Sequence, residues 1–202
     1  MSASTLPPDT SLDALIDRAR RGDQAACAAI YQRFVRATYR LAYGVLLDQQ
    51  DAEEVVQDAF AYALRNLDRF DPERSAFRTW LYTITMSRCR NKRRRRWLPT
   101  IHLTEIAEWL PGMDALPEQV IEQRGARDAV MEALRALSPK LREAVVLRYF
   151  DGLSYREMAA VLGCPQKTAE SRVRLAHDTL FRLLADQREA LLEGAFGHDT
   201  AR

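Results

Sequence analysis

Ser154-Tyr-Arg-Glu-Met-Ala-Ala-Val-Leu-Gly-Cys-Pro165 carries a helix start, a helix stop and the start of a second helix within one short stretch. Ser154 with Glu157 forms a capping box, in which each residue satisfies an amide that the first helical turn leaves open. Gly163 permits a left-handed turn, and Pro165 suits the opening of the helix that follows. A helix over 154–162, a short turn and a helix from Gln166 to about Leu184 are therefore predicted. Two helices joined in this way are the arrangement that lays the second one in the major groove of DNA. Ala159 is small where the helices would cross, and Met158, Leu162, Ala169, Val173, Ala176 and Leu180 would form the buried seam. Gln166, Lys167, Glu170, Ser171, Arg172 and Arg174 are left facing outward near the start of the second helix. An ordinary helical hairpin with a solvated polar face has the same spacing. The coincidence of cap, small residue, glycine and proline favours DNA binding.

Outward from this stretch, helical periodicity continues in both directions. Ser138-Pro139 reads as a cap with proline at the first helical position, opening a helix over 140–150 that stops at Asp151-Gly152. Periodicity runs before it from about Glu118 to Leu137. Residues 98–116, with Pro99, Pro111 and Gly112 and no sustained period, read as a flexible linker. Upstream, Leu12, Leu15 and Ile16 mark a helix that breaks at Gly22. Asp23 caps a second helix, which ends near Leu47–Gln50. Asp51 with Glu54 is read as the N-cap pair of a third helix, whose stripe is Val55/Val56, Ala59/Phe60, Ala63/Leu64 and Leu67. Asp71-Pro72 interrupts it within a loop over 69–76, and a long helix follows from about Phe77 to Trp97. Seven of the nine residues from Arg88 to Arg96 in that helix are basic. The tail 185–202 is expected to fray. The expected fold is all-α: two helical domains joined by a flexible linker, the second containing the helix-turn-helix. The boundaries are 11–97, 98–116 for the linker, 117–184, and 185–202 for the tail.

Composition agrees with that fold and excludes several classes. In 202 residues there are eight glycines and eight prolines, too few for the many turns of an all-β chain. Hydrophobic residues are 47% and charged residues 29%, a balance that can bury a core. There is no apolar run long enough to span a membrane, and Met1–Thr10 lacks the basic and apolar parts of a secretory signal. Cys27, Cys89 and Cys164 are odd in number and widely spaced, which suits a reducing compartment such as the cytoplasm better than a disulfide framework. His102, His177 and His198 do not cluster with them, so neither a metal nor another cofactor is expected. The net charge of +2 is uninformative, but all except Lys92, Lys140 and Lys167 of the 30 basic residues are arginine. GC-rich coding or guanidinium recognition of phosphates and base edges would both produce that bias.

Leu141-Arg-Glu-Ala-Val-Val-Leu-Arg-Tyr-Phe-Asp-Gly-Leu-Ser-Tyr-Arg-Glu-Met-Ala-Ala-Val-Leu-Gly-Cys-Pro165 resembles region 4 of extracytoplasmic-function (ECF) sigma factors of bacterial RNA polymerase. In that family this domain binds the −35 promoter element and the flap of the polymerase β subunit. Asp51-Ala-Glu-Glu-Val-Val-Gln-Asp-Ala-Phe60 resembles the region 2 helix that docks on the clamp helices of the β′ subunit. The resemblance continues through Asp68-Arg-Phe-Asp-Pro-Glu-Arg-Ser-Ala-Phe-Arg-Thr-Trp-Leu-Tyr-Thr-Ile84, where the family captures a flipped −10 base in the loop and touches the non-template strand with the next helix. Melting of this kind requires pockets for extruded bases and contacts to phosphates, which an aromatic-rich helix ending in arginines can supply. Core packing is the competing reading for Phe77, Trp80 and Tyr82, and it is the favoured one for Trp80. Four positions depart from the family pattern. Glu170 stands where a basic residue is usual, and Ser87 where asparagine is common; Leu175 and His177 also replace frequent basic residues. Glu170 cannot hold a phosphate, but it can accept from a cytosine amino group.

The resemblance therefore implies a non-enzymatic subunit that binds core RNA polymerase and directs promoter-specific initiation. Expected polymerase contacts are Asp51, Glu54, Val55, Gln57, Asp58 and Phe60. Expected −10 contacts are Phe70, Arg74, Phe77, Ser87, Arg88, Asn91, Arg93, Arg94 and Arg95; the outward residues of the helix-turn-helix serve the −35 element. Partners would be the polymerase β and β′ subunits, promoter DNA and, as is frequent in the family, an anti-sigma factor. Two other classes compete. A free-standing helix-turn-helix regulator would ignore core polymerase, yet it has no need of the acidic helix, loop and basic helix. A metal-dependent hydrolase or nuclease using Asp51, Glu54 and Asp58 lacks a companion histidine or a second acidic motif.

Overall fold

Short polar side chains start the helices and the apolar periods then decide which face each one buries. In the computed structural model the backbone is described for residues 11–96 and 124–196, with side chains for 11–95 and 130–185. Every regular element among the described residues is helical, and the chain divides into two compact units, one N-terminal and one C-terminal.

The N-terminal unit begins with α1 (Leu12–Arg20), capped by Ser11, whose hydroxyl accepts from the Ala14 amide. Asp23 caps α2 (Gln24–Leu46) by accepting from the amides of Ala25 and Ala26. The Arg18 guanidinium, 2.7 Å away, together with those amides holds the Asp23 carboxyl below the ordinary aspartate range. α2 ends on Leu47 in the left-handed conformation, and the chain turns at once into α3 (Gln49–Arg65). A single 3₁₀ turn (Leu67–Arg69) and a loop then lead to α4 (Phe77–Arg96). α2, α3 and α4 pack on one another, and α1 lies on α2 and on the 3₁₀ turn. Ile30, Leu41, Val56, Phe60, Leu81, Tyr82 and Met86 are fully buried between them. Each such side chain contributes about 2 kcal/mol of hydrophobic stabilisation.

The expected cap of α3 is corrected. Asp48, not Asp51, is the N-cap: it is extended, and its carboxylate accepts from the Asp51 amide at 2.9 Å. The left-handed turn at Leu47 delivers the chain to Asp48 in the extended geometry a cap requires, so the helix starts earlier and Asp51 lies inside its first turn.

In the C-terminal unit, α5 (Arg124–Ala136), α6 (Pro139–Tyr149), α7 (Tyr155–Leu162) and α8 (Gln166–Phe196) enclose a second core. α5, α6 and α7 each pack on α8. Arg142 donates to the carbonyls of Arg135 and Leu137, closing the end of α5. Ser138 occupies the cap position of α6 with Pro139 following, but its side chain makes no capping hydrogen bond. The capping box of Ser154 and Glu157 forms in both directions. α8 continues to Phe196, well past Leu184, so helix extends into the expected tail, of which 197–202 lie outside the described residues. Alanine, leucine, glutamate, glutamine and arginine dominate 185–193, and no proline or glycine interrupts the helix before Gly194. The linker 98–116 and the expected helical start at 118–123 lie outside the described residues.

Gly163 has φ 65° and ψ 43°, the left-handed value predicted for the turn, and a Cβ placed there would meet nothing within 4 Å. Strain is then the whole cost of adding a side chain. Gly163→Ala should lower the stability of this unit by about 1–2 kcal/mol in thermal or urea unfolding; a much larger loss would mean a clash that the geometry does not contain.

Candidate nucleic-acid interface

α7 and α8 form the helix-turn-helix. Met158, Leu162, Ala169, Val173 and Ala176 are buried along the seam, as the spacing implies, while Leu180 is only half-buried. Val161 and Leu153 complete the seam, and neither was expected there. Gln166, Lys167, Glu170 and Arg174 are exposed on the first turns of α8. Ser171 and Arg172 are half-buried, and Arg172 Nη1 lies 3.8 Å from the thiol of Cys164 in the turn. The exposed start of α8 thus offers Lys167 and Arg174 with Glu170 between them, two cations and one carboxylate. Sequence reasoning missed Arg148. Its guanidinium donates to the Leu153 carbonyl at 2.9 Å and lies 4.9 Å from the Tyr155 ring centroid, bracing the corner between α6 and α7. The Arg148-to-Tyr155 spacing across a glycine turn was a weak signal for it.

In the N-terminal unit the acidic and basic segments meet. Lys92 on α4 reaches α3, where its ammonium is 3.3 Å from Asp51 Oδ1 and also bonded to Glu54. Burial alone would lower the Lys92 pKa, but the hydrogen bonds to Glu54 and Asp51 outweigh it and hold the group above its ordinary value. Lys92 is therefore turned to α3, as is Arg88 one turn earlier, so the basic run is not one continuous cationic surface. Asp51 is buried against it, 8% exposed.

The exposed residues of α3 are Gln49, Gln50, Glu54, Gln57, Asp58 and Arg65, and the expected contacts Glu54, Gln57 and Asp58 are among them. Val55 and Phe60 were expected to contact a partner beside them, and this is corrected: they are 2% and 0% exposed. The same holds for Val56. A helix crossing between α2 and α4 must bury one whole stripe, and these residues form it. Asp51 likewise lies turned inward to Lys92.

Among the residues expected at a melted strand, Phe70 and Phe77 are 5% and 2% exposed. They form an aromatic cluster with Trp80 and with Phe34 of α2, at centroid separations of 5.2–5.7 Å. Phe70 and Phe77 were expected to contact bases, and this is corrected to the extent that packing among these rings leaves both almost wholly buried. Trp80, for which core packing was favoured, is only half-buried, although its ring packs on Phe70 and Phe77. Arg74 is exposed in the loop. The loop itself is a turn built on Asp71, whose carboxylate accepts from the Glu73 amide while its carbonyl accepts from Arg74 and Ser75.

Along α4, Trp80, Ser87, Asn91 and Arg94 recur at three-, four- and seven-residue steps on one face, with Thr83 between them. Ser87 and Arg94 are exposed and Asn91 accepts from Arg94 at 3.3 Å. Arg88 is half-buried with its guanidinium 5.1 Å from the Tyr62 ring centroid; Arg93 is half-buried and Arg95 exposed. An outward strip that begins at an aromatic ring and ends in guanidinium groups can take both the faces of unstacked bases and a phosphate backbone.

Comparison with known proteins follows the same division. The family description Sigma-70 region 2 matches residues 30–98, and Sigma-70 region 4 matches residues 127–180. The chain is 34% identical over 178 residues to the RNA polymerase sigma-H factor of Pseudomonas aeruginosa, covering 84% of this chain and 92% of that one. It is also 34% identical over 174 residues to the ECF RNA polymerase sigma-E factor of Escherichia coli K12, covering 82% and 90%. Among solved structures, CnrH in complex with the cytosolic domain of CnrY superposes with a TM-score of 0.66 at 30% identity, over 87% of this chain and 99% of that one. The sigma factor RpoE of Bartonella quintana, in complex with the anti-sigma factor NepR, gives 0.58 at 27% identity over 78% and 97%.

Proposed function

Because this chain belongs to the extracytoplasmic-function family of RNA polymerase sigma factors, we propose that it is a transcription initiation subunit that binds core polymerase and carries it to specific promoters. The observation that carries this reading is the ordered presence of region 2 and region 4 in a single chain. A free-standing regulator would need only the second. Phosphodiester chemistry belongs to the polymerase, so the chain itself acts by binding and is not an enzyme. Among the described residues no helix is long and apolar enough to cross a membrane, and the proposed place of action is the cytoplasm, where the polymerase is.

Within that reading the division at 11–97, 98–116, 117–184 and 185–202 assigns region 2, the connection, region 4 and the tail. Glu54, Gln57 and Asp58 form the polymerase-facing surface, an acidic helix suited to a basic partner. Arg74 with the loop 70–76, then Trp80, Ser87, Asn91, Arg94 and Arg95, receive the melted −10 strand. Phe70 and Phe77 hold that loop from beneath. Gln166, Lys167, Glu170 and Arg174 face the −35 element, with Ser171 and Arg172 at its edge. Two of the structurally similar sigma factors were solved bound to partner proteins, and an anti-sigma factor of that kind is proposed as a partner of this chain.

The test is run-off transcription with purified core polymerase and fragments of the source genome. Promoter-specific transcripts that require this chain are expected. Their absence, together with failure to co-purify with core, would sink the reading. A finer expectation concerns Glu170. A carboxylate at this position discriminates by accepting from a cytosine amino group, so Glu170→Gln should change relative use of −35 sequences by about 1–3 kcal/mol at one base pair. Equal effects across all promoters in that assay would mean that Glu170 does not read bases.

A further inference from the structure

We propose that Arg20, on α1, is a positioning residue for the loop 70–76 and thereby for base selectivity at the −10 element. This rests on the reading of that loop as the capture site. Arg20 lies about fifty residues from the loop in sequence, yet its guanidinium spans two carbonyls there. Nε and Nη2 donate to the Leu67 carbonyl at 3.3 and 3.2 Å, and Nη2 donates to the Phe70 carbonyl at 2.7 Å. Asp17, one turn earlier on α1, steadies the other prong at 3.4 Å.

Those two carbonyls bracket the point where the 3₁₀ turn becomes the loop: Leu67 opens the turn and Phe70 caps it. The Leu67 carbonyl already accepts from the Phe70 amide within the turn, and the Phe70 carbonyl lies at its exit; a guanidinium fork is the side chain best shaped to hold two such carbonyls in a fixed relation. Immediately downstream, Asp71 folds the loop onto its own carboxylate and carbonyl, and the Phe70 ring is wedged against Phe77 and Trp80. The start of the loop is therefore fixed from two sides, by a backbone clamp from α1 and by a ring packed on α4. A site held in its binding shape loses less entropy when it closes on a ligand, and discriminates more sharply between a base that fits and one that does not. Releasing the clamp leaves the loop attached but free to adapt, so a wrong base is accepted nearly as well as the right one. α1 thus acts on promoter opening through Arg20 without itself touching DNA.

The test uses the full chain with core polymerase and a fork probe carrying the −10 sequence of a promoter that the unmutated chain transcribes. Affinity is measured with the native base and with a substituted base at the captured position. The expected result for Arg20→Met is a fall of about fivefold in the ratio of the two affinities, the scale of one or two lost hydrogen bonds, with core binding unchanged. Arg20→Lys should fall between the two, because an ammonium keeps the charge but cannot hold both carbonyls. An unchanged ratio, even with lower overall affinity or a lower melting temperature, overturns the proposal, since a merely structural strap would weaken native and substituted probes alike. Should Arg20→Met not fold, Arg20→Lys alone decides by the same ratio. If the unmutated chain discriminates at no −10 position, the reading of the loop fails, and the proposal fails with it.

Discussion

Asp58→Arg weakens association with core polymerase at least tenfold while leaving the fold intact. Asp58 is exposed on α3, beside exposed Glu54 and Gln57, on the only face of that helix not committed to the core of its unit. The substitution turns a carboxylate into a guanidinium and so replaces an attraction to a basic partner by a repulsion. Like-charge juxtaposition at an interface costs several kcal/mol, and every 1.4 kcal/mol is a factor of ten in affinity. A substitution at an exposed site away from caps and ion pairs changes stability by no more than about 0.5 kcal/mol, so unfolding curves should superimpose. Binding is read by fluorescence anisotropy or co-sedimentation with core at two salt concentrations. The defect should shrink as salt rises, because screening removes repulsion first. Unaltered core affinity would remove this face of α3 from the interface. Glu54 is a poorer probe, since its carboxylate is shared with Lys92 and changing it also disturbs the junction of α3 and α4.

Phe77→Ala should destabilise the N-terminal unit by about 3–5 kcal/mol, the range for emptying a buried aromatic site. Phe77 is 2% exposed and has Phe34, Phe70 and Trp80 around it. Its loss unpacks α2, the base of the loop and the first turn of α4 together. Against a typical total of about 5–15 kcal/mol for a domain, that leaves the unit close to unfolding at physiological temperature. Phe77→Leu refills most of the volume and should cost far less. The measurement is chemical denaturation followed by tryptophan fluorescence, with Trp80 in the cluster as reporter. If Phe77→Ala left stability unchanged but abolished promoter melting, the ring would have to be a base-stacking surface, contrary to its burial. Two large effects thus fall on residues of opposite kinds: Asp58 matters for what approaches it, Phe77 for what it supports.

These cases separate what could be read along the chain from what could not. The helix-turn-helix was legible because its determinants are local. A cap, its partner three residues on, a left-handed glycine and a proline act within a few residues, and Ser154, Glu157, Gly163 and Pro165 take the predicted positions. The identity of region 2 was legible for a related reason, since its acidic helix, loop and basic helix follow one another in order. The α3 cap was misplaced because both Asp48 and Asp51 can cap a helix; the left-handed turn at Leu47 selects the first.

The faces were harder. Periodicity identifies a stripe that will be buried but not which neighbour covers it, so Val55, Phe60, Phe70 and Phe77 were read as contact residues until the packing of α2, α3 and α4 enclosed them. Charge is similarly ambiguous. Seven basic residues in nine form a run in sequence, but a helix distributes them around its axis and sends Lys92 inward to Asp51 and Glu54. Sequence by itself determined the helices, because caps, turns and apolar periods are short-range, and the order of its stretches carried the resemblance to the two sigma regions. Only the tertiary structure decided which side chains are surface and which are support, and that Arg20 reaches the loop across about fifty residues, because burial and long-range hydrogen bonds exist only once separate helices meet.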